Sequence, residues 1–528
     1  MIKFVKIGGE GFCFPEIDLF YIFLHIWRRN MDGNVNSAKL SKKDVRASTA
    51  EKLKDMLRDI DTASAAASKN GFCARTRIEA LFDEGTFAEM GAYVRRKQNE
   101  NEFEGVICGY GAVGGKLAFA FSQDSSRMKG AFDELHAKKI ADLYTAAIKN
   151  GAPVIGIFDS CGAIIYDGVS ALAGYGQVMK CVSDASGVIP QIAVIPGVCA
   201  GSAAAIAAMF DAVIAVKDKT SLYVNSPFLL GDKTGGAEAA SANGLAAIVS
   251  EDEASAYSAA RELVTLLPSN NAEGISEAET SDDLNRTVEL DAILAEDTYN
   301  MKDVLDLIGD GCRFTELYSG FAPEIIVGLS AFGGIVTGVV ASQPSENGGV
   351  LTVGAARKAA KFVSMCDSFN IPVLTLVDSK GLDISEKAEN APYASELARL
   401  AMAYTSSENA KVTVVLGKAY GAAYTLLGSK SVGADVAFAL GRAAISVLPP
   451  ESAVAFVWND KVDSKESRAE LEAQWTEMCA SPVDAAEKGE IDDIIESSEL
   501  RMRICAALSM LASKSEIYPE RRHAVLPL

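Results

Sequence analysis

Two stretches place glycine and alanine where a strand would end and a helix begin. They are Pro196-Gly-Val-Cys-Ala-Gly201-Ser202-Ala-Ala-Ala and Gly417-Lys-Ala-Tyr-Gly421-Ala422-Ala423-Tyr424. Each follows an apolar run, residues 192–195 and 412–416. A helix that opens on tiny residues leaves its first N–H groups without an intrahelical acceptor and lets a ligand reach the backbone. Two such N–H groups aimed at one point form an oxyanion hole, which stabilises a thioester enolate or a negatively charged ureido oxygen. One such turn alone serves helix–strand packing as well as function. Its recurrence at Gly201 and Gly421 favours function.

Asp159-Ser160-Cys161-Gly162-Ala163 and Asp378-Ser379-Lys380-Gly381 close two further apolar runs. Loops at the C-terminal ends of strands are where α/β sheets bind ligands. Asp159 and Asp378 read as carboxylates capping the following turns, in preference to general acids or bases. Cys161 and Cys199 flank these loops, but a nucleophilic thiol wants a base beside it. The chain has three histidines, at 25, 136 and 523. The cysteines therefore read as packing residues, and the scarcity of histidine argues against metal catalysis. The chemistry left is one in which backbone amides hold charge and a cofactor supplies the reactive power.

The elements that position these residues occur twice. Gly115 matches Gly334, Ser122 matches Ser342, Asp159 matches Asp378 and Gly201 matches Gly421, each at an offset of 219 or 220. Continuous apolar strands such as 154–158 and 373–377 alternate with helical stretches such as 134–144 and 358–369. Strand, helix and strand in succession predict an α/β fold with mostly parallel strands, present in two copies. The polar, acidic stretch 270–297 reads as the joint. An amphipathic helix is expected over 38–60, and two more near 465–480 and 498–513.

The composition sets limits. The chain has 528 residues, 49% hydrophobic, with a formal net charge of -20. That length suits two domains. The charge disfavours nucleic acid and anionic lipid as partners. Ten cysteines without a C-x-x-C pair suggest a reducing, cytoplasmic setting. No membrane span is evident; the longest uncharged stretch, 185–210, is broken by Pro190, Gln191, Pro196 and Gly197. Residues 1–30 carry an apolar patch whose arginines, Arg28 and Arg29, come after it rather than before. They read as an extension preceding a true start at Met31, the alternative being a membrane or partner anchor.

In order along the chain, many pieces resemble the carboxyltransferase subunits of biotin-dependent acyl-CoA carboxylases and decarboxylases. They include Arg75-Thr-Arg-Ile78, Phe121-Ser-Gln-Asp124, Leu172-Ala-Gly-Tyr175, Ser186-Gly-Val-Ile-Pro-Gln191, Cys199-Ala-Gly201, Lys418-Ala-Tyr-Gly421 and the tail from Pro519. The resemblance implies two tandem crotonase-like (ClpP/crotonase) domains, 31–285 for acyl-CoA and 286–528 for carboxybiotin, in a homohexamer. It maps the first oxyanion hole to the amides of Gly201 and Ser202 and the second to those of Ala422 and Ala423. It implies acyl-CoA contacts at Arg75, Arg77, Cys161, Gly162 and Ala163, and a biotin and acyl region at Gly421, Tyr424 and Thr425.

No Ala-Met-Lys-Met biotinylation site and no ATP-binding half are present. Biotin must then arrive on a separate biotin carboxyl carrier protein. The further partner is a biotin carboxylase subunit, or a membrane sodium-pumping subunit if the reaction runs as decarboxylation. Departures from the family pattern are Ile164 for an arginine, Lys380-Gly-Leu382 for Pro-Gly-Phe, and Ser202 and Ala422 for glycines. Thr425 is neither the aspartate nor the isoleucine commonly found where acyl chain length is tuned. A biotin-independent crotonase-type enzyme and a non-catalytic scaffold subunit are the competing readings.

Overall fold

The computed structural model describes residues 42–67, 72–95, 103–231, 234–462, 465–516 and 525–527. The expectation about residues 1–30 lies outside the described residues. Contacts divide the chain into 1–56 and 57–528. The helix expected over 38–60 is observed as α1 (Lys42–Ala67), and residues 42–56 of it are what is described of the first unit. All that follows concerns the second.

Runs of consecutive apolar residues fold as central strands covered on both faces, which leaves no polar side to show. In the first half, α2 (Ala74–Leu81) precedes three antiparallel strands: β1 (Ala88–Met90), β2 (Val106–Val113) and β3 (Lys116–Gln123). After α3 (Glu134–Asn150) comes β4 (Val154–Ile157), parallel to β3. Helix α4 (Val169–Ala185) leads to β5 (Gln191–Ile195), β6 (Val198–Ala200), α5 (Ser202–Ala208), β7 (Ala212–Val216), β8 (Ser221–Tyr223), β9 (Ile248–Ser250) and α6 (Glu253–Leu266). The sheet order is β1-β2-β3-β4-β5-β7-β9, with β6 and β8 paired apart.

The second half repeats this. It contains β10 (Phe314–Leu317), β11 (Ile325–Phe332), β12 (Ile335–Ser342), α7 (Val353–Ser368), β13 (Val373–Ser379), α8 (Tyr393–Ser406), β14 (Lys411–Tyr420), α9 (Ala422–Leu426), β15 (Val436–Leu440), β16 (Ala444–Ser446), α10 (Lys465–Cys479), β17 (Asp493–Ile495) and α11 (Leu500–Leu511). The order is β10-β11-β12-β13-β14-β15-β17, with β16 on β14. Register repeats with it. Val106 faces Gln123 and Ile325 faces Ser342; Val154 faces Gln191 and Val373 faces Lys411. Ser342 thus matches Gln123 rather than the expected Ser122, and the step in offset from 219 to 220 falls between β4 and β5. One difference has a covalent cause: Pro196 has no N–H for the ladder, so β5 and β6 are separate, whereas β14 runs unbroken through Gly417.

Buried polar anchors also recur. Lys139 Nζ donates to the Val106 carbonyl, and Lys358 Nζ donates to the Ile325 carbonyl at 2.8 Å. Asp83 accepts from the N–H groups of Gly114 and Gly115, and Asp310 accepts from those of Gly333 and Gly334. Arg261, on α6, pairs with Asp83, and Arg501, on α11, pairs with Asp310 at 2.7 Å. The last helix is thus placed by its arginine and by Ile504 and Leu508 in the core.

The joint is not a loose linker. Residues 276–278 lie along β12, with the Ala278 N–H donating to Gly334 O, and Val288, Leu290 and Leu294 are buried. Those three apolar residues outweigh the acidic composition around them. One apolar core is continuous across both halves, from Ile78 and Leu263 to Phe362 and Tyr404.

Candidate functional site

Each Gly turn depends on a backbone shape that needs glycine. Gly201 has φ 63 and ψ -126, and Gly421 has φ 61 and ψ -146. This region is nearly closed to residues with a Cβ. The chain then enters α5 or α9, whose first-turn amides have no acceptor within the helix.

The Gly201 N–H donates to Tyr223 O at 2.9 Å, and the Gly421 N–H donates to Ser446 O at 2.9 Å. Strands β8 and β16 therefore anchor the two turns in the same way. The Gly201 amide, expected as one donor of the first pair, is thus engaged with β8. Among the described residues, the amides without a backbone acceptor are those of Ser202 and Ala203 in the first turn, and of Ala422 and Ala423 in the second. The two turns then match position for position.

Asp159 and Asp378 hold these turns from beneath. Asp159 Oδ1 accepts from Val198 N–H at 3.2 Å, and Asp378 Oδ1 accepts from Lys418 N–H at 2.9 Å. A Cβ at Gly197 would lie 2.3 Å from Asp159 Oδ1, and one at Gly417 would lie 2.2 Å from Asp378 Oδ2. Glycine at 197 and 417 is what lets each carboxylate lie against the strand. Both aspartates brace backbone, but across to the neighbouring strand at Val198 and Lys418 rather than by capping the turns that follow them, as the sequence led one to expect. Sequence reading passed over Gly197 and Gly417, although their spacing of 220 marked them.

The carboxylates differ in their partners. Asp159 meets Arg77 at 2.6 Å and the Ser125 hydroxyl at 2.7 Å. Arg77 also pairs with Glu253 at 3.0 Å, and its side chain is 9% exposed. The expectation that Arg77 contacts acyl-CoA is corrected: both ends of its guanidinium are taken up by buried carboxylates, which it neutralises. Arg75 is bound likewise, to Asp61 at 3.0 Å and to Glu89 at 2.6 Å, and presents no free guanidinium. Asp378 makes no ion pair with an arginine among the described residues; the Tyr299 hydroxyl donates to it at 3.0 Å. Burial pushes the Asp378 carboxyl upward, opposed by the Lys418 N–H and Tyr299.

The strand-end loops lie beside the turns. Ser160 bridges to Cys199, and Ser379 pairs with Ala419. The Cys161 N–H donates to Lys129 O and the Gly162 N–H to Ser160 Oγ, while the Ala163 N–H has no acceptor among the described residues. Cys199 is buried as a packing residue; Cys161 is instead exposed on its loop. Thr425 is exposed on the first turn of α9, as is Ala205 on α5. The Tyr424 hydroxyl is buried without a hydrogen-bond partner among the described residues, and burial raises its pKa to about 12. It is the Tyr424 ring, packed on the core, that supports the turn. His136 is fully buried against Phe132 and Gln123.

Two duplicated turns, each leaving two amides without a backbone acceptor among the described residues and each on its own mixed sheet, define a doubled crotonase-like protein. Residues 66–526 match the family model "Carboxyl transferase domain", and the chain belongs to this family. It is 37% identical over 480 residues to the methylmalonyl-CoA decarboxylase subunit alpha of Propionigenium modestum, covering 86% of this chain and 93% of the relative. It is 35% identical over 485 residues to the propionyl-CoA carboxylase carboxyltransferase subunit of Haloferax mediterranei, covering 87% and 94%. Among solved structures, the transcarboxylase 12S hexamer with methylmalonyl-CoA and methylmalonic acid bound superposes with a TM-score of 0.86 at 31% identity, covering 93% of this chain and all of the other.

Proposed function

We propose that this chain is the carboxyltransferase subunit of a biotin-dependent acyl-CoA carboxylase or decarboxylase. It moves a carboxyl group between carboxybiotin on a carrier protein and the α-carbon of a short acyl-CoA of the propionyl, acetyl or methylmalonyl class. The observation that carries this reading is the pair of matched amide turns, Ser202–Ala203 and Ala422–Ala423, each anchored by a glycine and braced by an aspartate.

The first turn holds the thioester oxygen as charge gathers there on removal of the α-proton. Amides fixed by Asp159 and by β8 need no reorganisation to do so. The Cys161–Gly162–Ala163 loop borders the acyl group, and Thr425 sets the room for its chain from the other copy. The exposed Ala422 and its neighbour Ala423 fit a group that gathers negative charge on oxygen. Biotin, when bound, would carry the carboxyl group to or from the acyl α-carbon; the Ala422 and Ala423 amides would hold its ureido oxygen, and Gly421 would keep them in place. We divide the chain at 285/286, with 31–285 as the acyl-CoA side and 286–528 as the carboxybiotin side.

The acting unit is a homohexamer in which the first half of one subunit faces the second half of its neighbour. Apolar side chains stand exposed on the segments around the two sites: Ile165 and Tyr166 just after the Cys161–Ala163 loop, Ile384 just after Lys380–Gly381, and Val447 next to Ser446, the residue that anchors Gly421. Patches of this kind mark interaction surfaces. Biotin arrives on a biotin carboxyl carrier protein. A biotin carboxylase subunit or a membrane decarboxylase subunit sets the direction of the reaction, in the cytoplasm. No helix among the described residues is long and apolar enough to cross a membrane.

The test is purified protein with malonyl-CoA or methylmalonyl-CoA and biotinylated carrier. Carrier-dependent loss of the carboxyl group supports the assignment. Its absence with every short acyl-CoA, or hydration of crotonyl-CoA without carrier, removes it.

A further inference from the structure

The strand-end loops of the two copies are tied down differently. In the first, the Phe132 N–H donates to Gly162 O at 2.9 Å, and the Ile164 N–H donates back to Phe132 O at 3.0 Å. In the second, the Leu351 N–H donates to Gly381 O at 2.9 Å, the matching bond. The return bond is not made directly. The Asp383 N–H donates to the Tyr393 hydroxyl at 2.8 Å, and that hydroxyl donates to Leu351 O. One hydroxyl thus stands inside a backbone bond that the first copy closes by itself.

Local sequence accounts for the difference. In the first copy α4 runs on from Val169, and Gly174 lies inside it, at the place that Tyr393 takes in the second. A Cβ on Gly174 would lie 3.0 Å from Asp133 O and 3.3 Å from the Phe132 ring, so nothing as large as a tyrosine fits. In the second copy the short helical turn Glu386–Glu389 ends before Pro392, a residue disfavoured inside a helix. Helix α8 begins afresh at Tyr393, whose buried side chain reaches back to the residue ten positions earlier.

With the hydroxyl between them, Asp383 and Leu351 make no direct backbone bond, and the loop stands off by the width of an oxygen. An open cavity of about 480 Å³ lies here, walled by Leu382, Ile384, Pro392, Tyr393 and Leu397 among others. The same segment borders the second turn. A Cβ on Gly381 would lie 3.5 Å from the carbonyl oxygen of Tyr420, the residue before Gly421. A shift of residues 381–383 is therefore felt at the turn.

We propose that Tyr393 is a positioning residue of the second site: its hydroxyl, set between Asp383 and Leu351, holds residues 381–383 at the spacing that the biotin ligand of the Gly421 turn requires. This deepens the carboxyltransferase reading and rests on it. Tyr393 acts through the loop backbone and not on the reacting atoms. Without its hydroxyl, the Asp383 N–H and Leu351 O lose their partner and close on each other, as Ile164 and Phe132 do. The loop then takes the narrower shape of the first copy.

The experiment follows carboxyl transfer from methylmalonyl-CoA to free biotin by the full-length protein. In Tyr393→Phe, KM for biotin is expected to rise about tenfold, the worth of one hydrogen bond. KM for methylmalonyl-CoA should hold. Tyr404→Phe is the control: its hydroxyl, on the same helix, is fully buried and pairs with Thr375 at 2.9 Å. It should lower the melting temperature and leave both KM values unchanged. A further measurement needs no variant. In the wild-type protein, hydrogen exchange across residues 381–384 should slow on addition of biotin and not of acyl-CoA. Equal changes in both KM values of Tyr393→Phe, or none, overturn the role of Tyr393 while leaving the carboxyltransferase assignment intact. So does the same split in Tyr404→Phe, or exchange indifferent to biotin. Absence of any transfer by the wild-type protein overturns both.

Discussion

Arg77 Nη1 lies 2.6 Å from Asp159 Oδ2, beneath the first turn, whereas the matching carboxylate of Asp378 is met by the Tyr299 hydroxyl at 3.0 Å. The same brace is thus built once as an ion pair and once as a neutral hydrogen bond.

Arg77→Met should be strongly destabilising, because it leaves Asp159 buried without its cation and Glu253 with Lys219 alone. Removing one partner of a buried pair costs about 3–5 kcal/mol. Urea denaturation should show the shift. A near-normal midpoint with a raised KM for acyl-CoA would instead restore Arg77 as a substrate ligand.

Tyr299→Phe should act on the second site alone. It removes one of the hydrogen bonds to Asp378, a loss of about 1–3 kcal/mol for a buried acceptor left unsatisfied. Turnover with carrier-borne biotin should fall while KM for acyl-CoA stays near wild type. Equal effects on both substrates would mean that the bond serves general stability only.

Gly201→Ala and Gly421→Ala should each cost about 10²–10³ in kcat, the factor seen on loss of an oxyanion donor. The added methyl forces φ away from 63 or 61 and swings the next amides out of line. Steady-state kinetics with each substrate varied will separate the two, and wild-type kcat in either variant would refute the role of that turn.

Cys161 should react readily with a thiol reagent, being exposed on the loop beside the first turn. Bound acyl-CoA should slow that reaction and free biotin should not. Mass spectrometry of the labelled peptide checks both. Labelling of Cys161 unaffected by acyl-CoA would move the acyl site elsewhere.

His136 should make the fold acid-sensitive. Burial, aided by Lys139, lowers its pKa from 6.5 to about 3, so the folded state keeps it neutral while the unfolded chain takes up a proton. Its contribution is fully present above pH 6.5 and is lost as pH falls towards 3, with a slope of about 1.4 kcal/mol per pH unit. Asp211 works the other way: burial raises it from 3.8 to about 6, so its contribution is lost as pH rises through 6. In Asp211→Asn the histidine slope should stand alone, and in His136→Leu it should vanish. Denaturation midpoints between pH 4 and 7 give the comparison.

The sequence by itself determined the doubling of the domain, the buried strands and the two Gly turns. These are local properties: apolar runs, and glycines at positions of positive φ, recur at a fixed spacing whatever surrounds them. It singled out Asp159 and Asp378, but as caps of the turns that follow them; their bonds to the Val198 and Lys418 amides came only with the fold. Tertiary structure decided which groups the turns leave free. The Gly201 amide is taken by Tyr223 O from β8, and Arg77 by Glu253, residues 22 and 176 positions away along the chain. No pattern in a single sequence reports such partners, because pairing of polar groups depends on which strands and helices meet.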